Sequence, residues 1–135
     1  MKKIYLLIIL YLFNQNSFAL DNLGNEDYIG VWESDWTAMK EEKQILIFTS
    51  SNEVSFKRVF KDNNEQYFET KNVKNIDDIV LLKFLDASGN LVYKLVLSGW
   101  KIETKMKIYG TMFMYKHNVQ FNGIPISFVK VTNSK

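Results

Sequence analysis

Apolar and polar residues alternate along most of this chain. From Glu53 to Lys61, Val54, Phe56 and Phe60 point one way, while Glu53, Ser55, Lys57 and Lys61 point the other. That period of two fits a half-buried strand. The longest run is Lys101 to Tyr115. One face carries Ile102, Thr104, Met106, Ile108, Gly110, Met112 and Met114; the other starts with Lys101, Glu103, Lys105 and Lys107 and changes to Tyr109, Thr111, Phe113 and Tyr115. The change predicts an outer side that is solvated first and covered later, with Gly110 marking a bend or bulge. Ile29 to Ser34 reads as a first strand with Gly30 and Trp32 on one face, and Gln44 to Thr49 as an apolar run suited to burial on both faces.

Turn signals divide the rest. Ile76 to Asp86 and Asn90 to Ser98 flank Ala87-Ser88-Gly89, a hairpin with glycine at the left-handed position. Asp62-Asn63-Asn64 and Lys116-His117-Asn118 read as turns, Glu65 to Val73 as a weaker, more polar strand, and Val119 to Val131 as a returning strand. Pro125 lacks a donor and belongs at a strand start, an edge or a bulge. Only Thr37 to Lys43 suggests a helical turn, capped by Asp35 or Thr37. The expected fold is therefore all-β: an antiparallel meander of about eight strands, with at most one short helix. Consecutive hairpins connect neighbours, which favours a closed or nearly closed barrel over a sandwich.

The first nineteen residues follow a different pattern. Lys2-Lys3 precede the apolar run Ile4 to Phe13, and Ser17-Phe18-Ala19 places small residues at the −3 and −1 positions of a cleavage site. Ten apolar residues span about 15 Å as a helix, half of a hydrocarbon core of roughly 30 Å, which predicts an export signal rather than an anchor. Residues 1–19 are expected to be removed, leaving residues 20–135 as a single barrel domain, periplasmic or secreted, with no transmembrane anchor after cleavage.

Gly30-Val31-Trp32 on the first strand of an exported meander resembles the Gly-x-Trp signature of the lipocalin and avidin group of barrels, the calycins. The resemblance implies a lipocalin-like barrel in which the Trp plugs one end beneath a basic side chain from near the last strand. By position, Lys130 would supply that side chain. The resemblance also implies a ligand-binding interior.

Composition narrows the chemistry. Without Lys2 and Lys3, the domain has fifteen basic and fifteen acidic residues, so net charge gives no general case for nucleic acid or an anionic membrane as partner. The chain has no Cys and one His, His117, in a predicted turn beside Lys116 and Asn118. A nucleophile needs an adjacent base and zinc needs three or four ligands, so no catalytic residue, metal site or cofactor is expected. Asp77 and Asp78 point to opposite faces in a strand and form no dyad there, and they read better as solvated turn or edge residues. The protein reads as a binder, not an enzyme.

The most distinctive material is methionine and aromatic. Its plain reading is core filling; its functional reading is an apolar pocket lined by Phe56, Tyr93, Met106, Met112 and Met114. An eight-stranded barrel interior is either filled by its own side chains or just able to hold one small ligand. Two roles follow. An empty, lined cavity would favour a small apolar or amphipathic ligand. A filled interior with an exposed aromatic or charged patch would favour a partner protein, as for an inhibitor or immunity protein of an exported hydrolase or toxin.

Overall fold

The alternation builds one antiparallel sheet. The structure, a computed structural model, describes residues 20–37 and 41–131. The strands are β1 (Leu20–Asn22), β2 (Gly30–Thr37), β3 (Glu42–Ser50), β4 (Glu53–Phe60), β5 (Glu65–Thr70), β6 (Val73–Ile76), β7 (Ile79–Leu85), β8 (Leu91–Ile102), β9 (Lys105–Lys116) and β10 (Val119–Lys130). One short helix, α1 (Asn25–Tyr28), precedes β2. The path runs β5-β4-β3-β2-β10-β9-β8-β7-β6, so the first long strand pairs with the last. β8 extends beyond its ladder with β7 and pairs there with β1.

The sheet rolls up but is not closed by hydrogen bonds. β5 and β6 end the path, and side chains bridge the seam. Phe68 on β5 meets Tyr93 on β8 edge-on at 5.2 Å, and the Tyr93 hydroxyl donates to Gln66 Oε1 at 2.9 Å. Inside, Phe56 on β4 lies 5.5 Å from Phe84 on β7 and 5.6 Å from Tyr93, ring centre to ring centre. Trp32, Leu46, Leu82, Leu95, Ile108, Met112 and Phe128 are fully buried around them. Side chains from facing walls therefore meet across the middle.

Several expected elements change. Residues 38–40 of the expected helical turn lie outside the described residues, and its ends are strand: Thr37 closes β2, and Glu42 and Lys43 open β3. The Lys101–Tyr115 run breaks into β8 and β9 at a two-residue turn, where Glu103 takes φ 56°. Likewise, the Ile76–Asp86 run breaks at Asp77, at φ 55°, into β6 and β7. β3 is not buried evenly on both faces: Gln44, Leu46 and Phe48 are buried, while Ile45 and Ile47 are half-covered. Pro125 sits one residue before the β10–β2 ladder begins, where β10 is paired only to β9.

Gly110 forms no bulge, because the β9–β10 register runs through it without a shift. What demands glycine is close approach. A Cβ there would stand 2.1 Å from the Val96 carbonyl oxygen and 2.8 Å from Leu97 Cδ2. Gly110→Ala must push β8 and β9 apart, and overpacking of this kind costs about 1–3 kcal/mol. In a domain of this size the expected fall in Tm is roughly 5–15 °C, measured by thermal unfolding.

Candidate functional site

One end of the barrel is plugged. The α1 turn carries Tyr28 over the opening, and the Tyr28 carbonyl accepts a 2.8 Å hydrogen bond from Trp32 Nε1. The Tyr28 ring lies 6.3 Å from Trp32 and 5.4 Å from Phe48. Lys130, at the end of β10, places its ammonium 5.7 Å from the Trp32 ring centre and donates to the Asp27 carbonyl at 2.7 Å. Gly30 makes room for it: its φ is +135°, and a Cβ there would lie 2.9 Å from Lys130 Cε.

The other end is polar. Arg58 on β4 binds Glu42 in bidentate fashion, Nε to Oε2 at 2.6 Å and Nη2 to Oε1 at 2.5 Å, and Nη1 donates to the Tyr93 hydroxyl at 2.5 Å. The two charged side chains are only 5% and 4% exposed. Burial opposes the guanidinium charge, but the Glu42 carboxylate and the Tyr93 hydroxyl more than offset it, so Arg58 holds its proton more tightly than a free arginine. Gln44 sits opposite Arg58 in the β3–β4 register, fully buried, with neither side-chain amide atom hydrogen-bonded. Leaving such a group unpaired costs about 1–3 kcal/mol.

The five residues expected to line a pocket all belong to or pack against the one hydrophobic core. Phe56 and Met112 are fully buried in packed core, and Tyr93 is buried in the Arg58 network. Met114 is half-buried against the core. Met106, near the start of β9, lines a surface groove of about 890 Å³ with Ile29, Val31, Val129, Lys105 and Lys107 among its walls. A second depression of about 340 Å³ is lined by Trp100, Ile102, Lys105, Lys107 and Tyr109.

The larger depression is lined mainly from β2, β9 and β10, and the smaller lies on the outer face of β8 and β9. Further along that face, Lys94 Nζ lies 5.2 Å from the Phe113 ring centre and 5.8 Å from Tyr115, and it stands opposite Lys83 in the register. Phe121, 60% exposed, lies at the register shift in β10. Lys107 lies 5.1 Å from the Tyr109 ring centre and pairs with Asp35 at 2.9 Å. That hydrogen bond raises the Lys107 pKa above the usual lysine value. Burial works against the Asp35 charge, but the Ser127 hydroxyl at 2.6 Å and Lys107 outweigh it and hold the carboxyl below its ordinary range.

The basic face was visible in the sequence but hidden by the net charge. Residues 79–131 contain seven lysines and two acids, whereas residues 20–78 contain thirteen acids and seven basic residues. Charge counted by segment, not over the whole chain, exposes the asymmetry. Among the described residues, no group of three or more His, Cys, Asp and Glu is placed to hold a metal ion, and no helix is long and apolar enough to cross a membrane. No family model, no curated protein and no solved structure matches this chain.

Proposed function

We propose that this is an exported, non-enzymatic protein-binding domain on a calycin-like barrel, working in the periplasm or outside the cell. The observation that carries the reading is the filled interior: Phe56, Phe84, Tyr93 and Met112 occupy the space a barrel-held ligand would need, while aromatic and lysine side chains line the outer wall. Aromatic side chains are the usual anchors of protein interfaces. The calycin resemblance is supported by Lys130 over Trp32 and by the pairing of β2 with β10.

Native mass spectrometry of the protein isolated from its own exported fraction tests this. The expected result is a stoichiometric complex with a second polypeptide. Phe113→Glu should weaken that complex at least about tenfold, while Met112→Leu, which keeps interior volume, leaves it intact. A bound small molecule instead, displaced by changes at Met112 or Phe56 and indifferent to Phe113, would establish the competing ligand reading.

A further inference from the structure

We propose that the partner docks an acidic, amphipathic segment across the start of β9, seating one apolar anchor on the β8 side of Lys105 and Lys107 and another on the β10–β2 side. This rests on the protein-binding reading and names the partner's chemistry.

The two depressions, of about 890 Å³ and 340 Å³, share Lys105 and Lys107 as lining residues. The larger lies in the range of about 300–1,000 Å³ usual for binding pockets. Residues two apart on a strand face the same way, so the lysines form a ridge between two troughs. Beyond the ridge, the larger trough is walled mainly by Ile29, Val31, Met106 and Val129, the smaller by Trp100, Ile102 and Tyr109. Ile102 and Tyr109 are 51% and 47% exposed. Exposed apolar surface rimmed by charge marks an interaction site.

The ridge selects the sign of the partner. No acidic residue lines either depression. Lys130, also in the larger one, has its ammonium turned inward to the Asp27 carbonyl and Trp32. Lys107 is paired with Asp35, whereas the Lys105 side chain makes no ion pair or hydrogen bond among the described residues. Lys105 is thus the cation with donors to offer, with Lys107 beside it. The nearest acid along the hairpin, Glu103, is in the turn rather than on the ridge. A segment with a carboxylate between two apolar side chains complements this surface in charge and shape.

Synthetic peptides of the pattern Leu-Ser-Glu-Ser-Leu, repeated twice, and the same peptides with Lys for Glu provide the probe. Binding to the full exported chain is followed by Trp fluorescence and by amide chemical shifts. The acidic peptide should bind at least about tenfold tighter than the basic one, and its affinity should fall as salt rises. Shifts should concentrate in Trp100 to Tyr109 and in the other wall of the larger trough, Ile29 to Val31 and Val129 to Val131. Lys105→Glu with Lys107→Glu should abolish the preference, while Lys57→Glu on β4 leaves it unchanged.

Equal binding of both peptides, or shifts elsewhere, overturns the proposal. So does exclusive binding to phosphatidylglycerol vesicles, which would assign the face to a membrane, or a dimer dissociated by Ile102→Glu, which would assign it to a second copy. A native complex insensitive to Lys105→Glu would sink this proposal and leave the protein-binding reading standing. Peptide binding without any native protein partner would do the reverse.

Discussion

Trp32→Ala is expected to destabilise the domain by about 3–5 kcal/mol, the range for removing a large buried aromatic side chain. Trp32 is fully buried, and its loss leaves three groups without support. The Tyr28 carbonyl loses its 2.8 Å indole donor, the Tyr28 ring loses the neighbour at 6.3 Å, and Lys130 loses the aromatic face beneath its ammonium. Because Tyr28 and Lys130 hold α1 over the barrel end, the plug should loosen as a unit. With a urea m-value of roughly 1.5–2 kcal/mol/M, the midpoint should fall by about 2 M. Trp32→Phe, which keeps most of the apolar area but not the donor, should lose much less. A midpoint unmoved by Trp32→Ala would mean that the plug contributes nothing to folding, and would remove the main support for the calycin resemblance.

What was legible in the sequence was what periodicity and turn chemistry control. Val54, Phe56, Ile108 and Met112 recur at every second position against the opposite face of their strands, and all four are buried. Turns with recognisable residues fell where expected: Asn63 takes φ 68°, Gly89 φ 86°, and His117 and Asn118 φ 53° and 62°. The reversal at Glu103 is not announced in the sequence, and Asp77-Asp78, which read as turn or edge residues, form a two-residue turn inside the expected Ile76–Asp86 strand. A two-residue turn preserves the alternation on either side, and neither place has the glycine or asparagine that announces left-handed backbone. Ring contacts such as Phe56 to Phe84 span distant parts of the chain, so filling of the interior could not be read from local pattern.

The candidate site was less legible. Met106, expected on an interior wall, packs half-buried against the core and, near the start of β9 at the plugged end, also reaches the lining of the larger groove. Trp100, Ile102 and Lys105 become neighbours only through the β8–β9 hairpin, which the uninterrupted Lys101–Tyr115 reading concealed. The interior polar end was not foreseen either. Arg58 occupies an inward position of the β4 alternation, and its partners Glu42 and Tyr93 lie 16 and 35 residues away.

That inward arginine gives the second large effect. Arg58→Met is expected to cost about 3–5 kcal/mol, because it leaves the Glu42 carboxylate, with its side chain 4% exposed, without its bidentate partner. The lost attraction matters less than the stranded charge. Glu42→Leu combined with Arg58→Met should therefore recover most of the stability, since an apolar pair of similar volume removes the desolvation cost along with the ion pair. Arg58→Lys should behave more like Arg58→Met than like wild type: a single ammonium cannot make the two parallel bonds to Glu42 and still reach the Tyr93 hydroxyl. Urea unfolding of the four members of the cycle, in which ionic strength stays constant, gives the coupling directly. Strong coupling, with the double variant near wild type, would show that the pair is retained for something other than stability. Additive losses would instead show that Arg58 supports the fold mainly through its packing over Phe60 and Tyr93, whose ring centres lie 5.0 and 5.4 Å from its guanidinium carbon.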